Sequence, residues 1–257
     1  MCFTAVVYSP TRRGNYGIVL SMLHNMKTNK DGFGIRVDDE IIRTTNNKNF
    51  LNYILSNSIA IDRARLIHVH FRLATFGLIN DNNVHLWKIG GYYCSHNGVA
   101  SGYGYNKDGN ADSYEFFKST EDKIAKEDIK GMSKALSEIN GIVFLTREDG
   151  RRIIAGSSGK PMKIYLFKNN TIVLANQDIK FSNKAVIPVV KRYNILGFEL
   201  KREDDKQVSA NIPKLIAEGE QSDFISLIDL EEMKTVAKEN VALRYNYSYY
   251  KKYWDGY

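Results

Sequence analysis

Short apolar runs separated by turn residues predict that much of this chain forms β-strands. The run over residues 3–8 is apolar almost without interruption, which is typical of a buried strand. Paired Asp and Asn residues with nearby glycines supply the backbone conformations that tight hairpins need. A Gly-rich turn over residues 29–35 leads into a strand, and further strands are predicted over residues 40–44, 64–72, 92–95, 141–147, 152–155, 163–168 and 171–175, with two strand-like runs within 186–200.

A second group of segments has helical spacing. Residues 16–26 carry apolar side chains at intervals of three and four, which predicts an amphipathic helix. Strands and helices in separate groups favour an α+β sandwich. Other helices are predicted over residues 49–55, 113–117, 123–137, 212–217 and 224–237.

Composition narrows the class of protein. With 257 residues, the chain can form one large domain or two small ones. Its net charge of +7 is spread along the sequence, so a solvated basic surface is favoured over a nucleic-acid site. We find neither a signal peptide nor an apolar run of membrane-spanning length, so we expect a cytoplasmic protein without a membrane partner.

The two cysteines do not have the spacing of a disulfide scaffold or a zinc site. The five histidines form no metal-binding helix pattern, and we predict no metal and no cofactor. Cys94 lies in an apolar strand and is predicted to be an inert core residue.

Cys2 has a different chemical setting. Removal of the initiator Met would leave its thiol and a free α-amine on the same residue. A thiol has an unperturbed pKa of about 8.5, and an α-amine has one of about 7.7–8.0, so part of the amine is neutral near pH 7 and can act as a base. Nucleophile and base would then be joined covalently at short range. A cysteine at position 2 is more often incidental, so this feature alone is a weak indication of function.

Three motifs farther along the chain strengthen this interpretation: residues 70–77 (HFRLATFG), 96–99 (HNGV) and 110–115 (NADSYE). With Met1-Cys2 and the segment DGFGI at 31–35, they resemble, in order and spacing, the glutaminase domain of class II glutamine amidotransferases. Residues 155–165 resemble a later hairpin of that family, and the similarity spans about residues 2–176. These proteins are N-terminal nucleophile (Ntn) hydrolases that take ammonia from glutamine.

The resemblance implies an α+β fold, a four-layer αββα sandwich of two antiparallel sheets between helices. It implies that residues 1–200 form the Ntn domain. We expect residues 201–257 to be a helical, aromatic-rich C-terminal extension packed on the same domain. The aromatic segment 245–257 could close that domain or dock a partner that accepts ammonia.

Glutamine carries a carboxylate and an ammonium at one end and the scissile amide at the other. The resemblance implies that Arg72 grips the carboxylate through a bidentate fork. Asp112, which we expect in a flexible polar loop, would take the ammonium, or cap the helix starting at Ser113, or both. Thr75 resembles a residue that lines the same pocket, although its hydroxyl could equally cap a turn.

Asn97 and Gly98 would stabilise the oxyanion that forms on attack, through a side-chain amide and a backbone N–H. The same Asn-Gly pair is also a common type I′ turn signal at the end of a strand. His85 resembles a pocket-side histidine of one branch of the family, and a structural role is equally compatible.

The function implied is hydrolysis of the glutamine side-chain amide by Cys2, with ammonia supplied to a separate acceptor enzyme. We expect a separate synthase subunit because residues 201–257 are too few for a synthase domain. The alternatives are a stand-alone amidohydrolase acting on a γ-glutamyl substrate and a non-catalytic binding module that retains the fold.

Overall fold

A computed structural model describes residues 2–104, 108–167, 169–181, 189–195, 198–202, 215–221, 223–231 and 234–241. The aromatic segment 245–257 lies outside the described residues. The strands are β1 (Phe3–Tyr8), β2 (Gly32–Val37), β3 (Glu40–Thr44), β4 (Leu66–Arg72), β5 (Trp87–Ile89), β6 (Tyr92–Val99), β7 (Asn140–Arg147), β8 (Arg152–Ser158), β9 (Met162–Phe167), β10 (Ile172–Ala175), β11 (Val189–Ile195), β12 (Phe198–Arg202), β13 (Leu215–Gln221), β14 (Phe224–Asp229) and β15 (Lys234–Asn240).

The described residues form six α-helices and three 3-10 turns. The α-helices are α1 (Asn15–Met22), α2 (Asn47–Ser56), α3 (Ser58–Asp62), α4 (Asp112–Ser119), α5 (Glu121–Ala125) and α6 (Ile129–Leu136), and 3-10 turns cover Leu23–Lys27, Asp81–Asn83 and Ser101–Tyr103.

Most of the strands pair into two sheets. The first sheet has the strand order β13-β9-β10-β1-β4-β2-β3, and the second has the order β15-β14-β8-β7-β6-β5. Neighbouring strands are antiparallel throughout both sheets. Strands β11 and β12 pair with each other as a separate ribbon.

Three apolar clusters define the layers. One fills the space between α1–α3 and the first sheet, a second lies between the two sheets, and a third lies between the second sheet and α4–α6. The apolar run of β1 is continuous because both faces of the strand are buried. Ala5 and Val7 face the helices, while Val6 and Tyr8 face the second sheet. The four-layer αββα sandwich predicted from the sequence is confirmed.

The predicted helices over residues 212–217 and 224–237 are wrong where the structure describes them. Residues 215–221 form an edge strand of the first sheet, and β14 and β15 extend the second sheet beyond β8. Five of the six residues of β14 are buried, so both faces of the strand are covered. A short apolar run of this kind has no periodicity that separates a buried strand from a buried helix.

Two smaller predictions also needed correction. The predicted helix 123–137 is two helices, α5 and α6, separated near Glu127, whose φ is +52°. The strand predicted to end at Ser95 continues to Val99, because β7 pairs with it along its whole length. Asn97-Gly98 is therefore inside a strand and not in a hairpin turn.

Among the described residues, the structure contains no helix that is long and apolar enough to cross a membrane.

Candidate active site

Cys2 lies immediately before β1, the central strand of the first sheet, and is partly buried. Its Sγ is 3.3 Å from the backbone nitrogen of Leu73 and 3.4 Å from the Leu73 carbonyl oxygen. Strand β4 pairs with β1 and ends at Arg72, so the pairing places the thiol at the end of β4.

The backbone at Cys2 is held from its other side by two side chains that follow β10. Asn176 Nδ2 and Gln177 Nε2 donate to the Cys2 carbonyl oxygen at 2.8 and 3.0 Å. Asn176 Oδ1 also accepts the Thr4 N–H at 2.7 Å. No sequence pattern indicates this role, because it depends on β10 pairing with β1 across most of the chain length.

Burial is the main influence on the Cys2 thiol and raises its pKa. The hydrogen bond from the Leu73 N–H and the positive charge of Arg72 act in the opposite direction, while Asp112 raises the pKa further. The thiol is therefore protonated near pH 7. Cys94 is fully buried, and burial raises its pKa well above the usual value, consistent with an inert core thiol.

Arg72 is buried, with 2% of its surface exposed. Its two terminal nitrogens donate to the carbonyl oxygens of Leu78 and Phe76 at 2.9 and 2.7 Å, which fixes the guanidinium against the loop after β4. A guanidinium has five N–H groups, so three remain beyond these two bonds. Burial lowers the pKa of Arg72, and the neighbouring Cys2, Asp31 and Asp112 oppose that shift.

Asp112 is not in a flexible loop, as the sequence suggested, but is the buried first residue of α4. One carboxylate oxygen accepts the Ala100 N–H at 2.7 Å, and the other accepts the Ser113 N–H at 2.8 Å. The N-cap position belongs to Ala111, which has no side chain suited to capping. Asp112 thus accepts one backbone N–H at the start of α4 and another just after β6, and it interacts electrostatically with Cys2 and Arg72.

Lys160 is a charged neighbour of this site that the sequence analysis did not single out. It follows β8 in the hairpin leading to β9, close enough to Cys2 for an electrostatic interaction. Burial lowers the pKa of Lys160. The only signal in the sequence was its place inside the hairpin motif 155–165.

Asn97 lies on β6 with its side chain buried. Two residues earlier on the same strand, Ser95 Oγ is 2.7 Å from Thr4 Oγ1. Alternate residues of a strand share a face, so Asn97 faces the first sheet, as Ser95 does, and Cys2 lies two residues before Thr4. In the described part of the chain, Asn97 Oδ1 is a buried oxygen without a hydrogen-bond partner.

The backbone N–H of Gly98 lies on the edge of β6 that β7 does not use. Cys94 O accepts the Leu86 N–H at 2.9 Å, and the His96 N–H donates to His85 Nδ1 at 3.2 Å. Along an antiparallel strand, alternate residues direct their N–H and C=O groups to the same edge. Like the groups at Cys94 and His96, the Gly98 N–H therefore points away from β7. It lies beyond Cys94, where the pairing of β6 with β5 ends.

Glycine is required at position 98 by packing rather than by access to the thiol. A Cβ there would overlap the carbonyl oxygen of Asn140 on the neighbouring strand and would crowd the His96 ring. Gly141, the residue that pairs with Gly98, has a φ of +137°, a conformation that L side chains rarely adopt. The two glycines allow β6 and β7 to pair at this point.

His85 lies in a cluster of rings and Thr75 lies in a loop. The His85 ring stacks on His70 at a centroid distance of 3.7 Å, contacts Trp87 at 4.3 Å and accepts the His96 N–H. Burial lowers the pKa of His85 well below its usual value, so it is neutral. Thr75 is exposed in the loop after β4. Their roles in substrate binding stay predictions.

No model of a known protein family matches this sequence, and no curated protein matches it significantly. The structure, however, is similar to that of the allosteric regulatory enzyme of purine biosynthesis, with a TM-score of 0.52 and 14% identity over 95% of this chain and 50% of that one. Glutamine phosphoribosylpyrophosphate amidotransferase from B. subtilis, complexed with ADP and GMP, gives a TM-score of 0.51 and 13% identity over the same shares. The chain has the class II glutamine amidotransferase fold. It spans about half the length of these two proteins, and at such identities the likeness concerns the Ntn fold alone.

Proposed function

We propose that this chain hydrolyses the side-chain amide of glutamine through Cys2 and supplies the ammonia to a separate acceptor enzyme. One observation carries the proposal. The Cys2 thiol lies at the end of β4, close enough to Arg72 and Asp112 for their charges to act on it. Strand β6 of the facing sheet carries Asn97 and Gly98. These are the groups that glutamine hydrolysis requires.

In the proposed reaction, the Cys2 sulfur attacks the side-chain carbonyl carbon of glutamine. The α-amine of Cys2, free after removal of Met1, takes the thiol proton and passes it to the departing nitrogen, so ammonia leaves and a γ-glutamyl thioester remains. Water then hydrolyses the thioester to glutamate and restores the thiol. The raised pKa of the thiol explains why a base is needed at the first step.

Negative charge develops on the carbonyl oxygen during both steps. The Asn97 side-chain amide and the Gly98 N–H are the donors that we assign to this oxygen. Gly98 offers its N–H on an edge that β7 leaves open, and the Asn97 side chain is buried on the face directed at the first sheet. A buried donor fixed in advance stabilises such a charge more strongly than water does.

Recognition of the amino-acid end falls to the opposite charges of Arg72 and Asp112. Replacing Arg72 by alanine, or Asp112 by asparagine, should raise KM for glutamine by about 30-fold or more, because losing one partner of a buried charge pair costs about 2–5 kcal/mol. Asparagine can accept only one of the two backbone N–H groups that Asp112 accepts, so the melting temperature of this variant is measured beside its KM. Steady-state kinetics measure the effect.

The matched control is Arg43→Ala, which removes a partly buried arginine from β3 of the same sheet. Its KM should equal that of the wild type. A wild-type KM in both Arg72→Ala and Asp112→Asn would contradict the assignment of these residues to the substrate.

A separate acceptor enzyme is the second part of the proposal. Strands β13, β14 and β15 extend the two sheets of the sandwich. A synthase subunit that co-purifies with the chain would identify the acceptor. Equal hydrolysis of free glutamine and of a larger γ-glutamyl amide would instead favour a stand-alone amidohydrolase.

The function is tested by assaying the purified protein for glutamate and ammonia and by measuring its intact mass. We expect the two products in equal amounts and a mass that lacks Met1. Active protein that fully retains Met1 would rule out the α-amine as the base, and absence of glutamine hydrolysis would rule out the function.

A further inference from the structure

A line of buried polar side chains crosses the largely apolar space between the two sheets. Thr146 Oγ1 is 3.1 Å from Arg36 Nη1 and 3.1 Å from His68 Nδ1. His68 Nε2 is 2.7 Å from Ser95 Oγ, which is 2.7 Å from Thr4 Oγ1. All five side chains are fully buried.

One arrangement of the protons directs every donor in this line the same way. The Arg36 guanidinium can only donate, so Thr146 accepts from it and can give its own proton to His68 Nδ1. His68 is neutral, because burial and the Arg36 charge lower its pKa well below the usual value. In this arrangement His68 carries its proton on Nε2 and donates it to Ser95.

Ser95 in turn donates to Thr4, and the line ends at a carbonyl group. The Thr4 hydroxyl donates to the Val69 carbonyl oxygen at 3.2 Å. Every hydroxyl in the line thus has both a donor and an acceptor, and the bonds polarise one another in the same sense. We call these five side chains, from Arg36 to Thr4, the inter-sheet relay.

The end of the relay lies next to the proposed reaction centre. Thr4 is two residues from Cys2 on the same face of β1, and Ser95 is two residues from Asn97 on the same face of β6. The Thr4–Ser95 hydrogen bond thus joins the strand that carries the nucleophile to the strand that carries the oxyanion donors. Apolar contacts between packed sheets are non-directional, whereas a hydrogen bond fixes both distance and angle.

We propose that Thr4 and Ser95, ordered by His68 and the rest of the relay, are positioning residues that fix the distance between the Cys2 sulfur and the oxyanion donors. This inference rests on the proposed function. Neither residue is assigned a contact with the substrate. A displacement of about 1 Å between reacting groups can cost about 100-fold in rate.

The test is steady-state kinetics of Thr4→Val and Ser95→Ala, which remove one hydroxyl each at nearly constant shape. Each should lower kcat by about 10- to 100-fold and leave KM unchanged, since Arg72 and Asp112 are untouched. Because the two hydroxyls make one bond, the double variant should lose little more than either single variant. A merely structural role would lower the melting temperature without changing kcat of the folded enzyme.

Two further variants sharpen the test. Ser226→Ala removes a buried hydroxyl from β14, in the same sheet and facing the same inter-sheet space, and should keep the wild-type kcat. Ser226 Oγ has no hydrogen-bond partner within the described residues. His68→Gln, whose amide nitrogen can still donate to Ser95, should retain more kcat than His68→Leu.

Wild-type kcat in both Thr4→Val and Ser95→Ala would overturn the positioning role while the proposed function stood. Equal kcat losses in Ser226→Ala and Ser95→Ala would overturn it too, since any buried hydroxyl would then have the same effect. Wild-type protein without glutamine hydrolysis would overturn the function and the positioning role together.

Discussion

Replacing Cys2 by serine is expected to lower glutamine hydrolysis by more than about 1,000-fold and to leave the fold unchanged. The thiol contacts the protein through its bonds with Leu73, and a hydroxyl of similar size can keep those contacts. A hydroxyl is a much weaker nucleophile, and loss of a nucleophile removes most of the rate enhancement of an enzyme. Ammonia release measures the loss, and the melting temperature reports the fold.

Cys94→Ala is the matched control for this experiment. Cys94 is fully buried on β6, and alanine removes its thiol without introducing a polar group. It should keep the wild-type kcat per folded molecule. Hydrolysis in Cys2→Ser at more than a tenth of the wild-type rate would exclude Cys2 as the nucleophile.

Asn97→Ala should lower kcat by about 100- to 1,000-fold, with little change in KM. The side-chain amide is assigned to the oxyanion, and loss of one such donor typically has this effect because the bond strengthens only in the transition state. Among the described residues, the substitution takes a hydrogen-bond partner from no buried polar group, and it removes the unpaired Asn97 Oδ1. A raised KM at constant kcat would instead assign Asn97 to substrate binding.

The contrast between Asn97→Ala and Arg72→Ala is as informative as either variant alone. One should affect turnover and the other affinity, because the first contact forms during the reaction and the second forms with the bound substrate. Equal effects of both on KM would contradict this division of roles.

The sequence predicted an α+β sandwich because strand and helix patterns fall in separate groups, and the four-layer form because five motifs resemble those of a known family in order and spacing. It failed where the outcome depends on distant pairing. Residues 224–229 are strand because β8 binds them, and Asn97-Gly98 stays extended because Gly141 lies opposite. No local pattern carries that information.

The site was predicted in part for the same reason. Cys2, Arg72 and Asp112 were predicted through their motifs, and the structure brings them close enough to interact electrostatically, while their roles stay predictions. The support from Asn176 and the bond between Thr4 and Ser95 were not found, since residues 172 and 91 positions apart meet only after the sheets have formed and packed. Hydroxyl and amide side chains of this kind are common in strands and loops and attract no notice in a sequence.

The most direct test of the central claim is to identify the cysteine that reacts with a γ-electrophilic glutamine analogue. Peptide mass spectrometry of the inactivated protein should find the analogue on Cys2, in a peptide that begins at Cys2, and glutamine should protect against the reaction. Cys94 should be unmodified. Modification of Cys94, or full inactivation with Cys2 unmodified, would contradict the account.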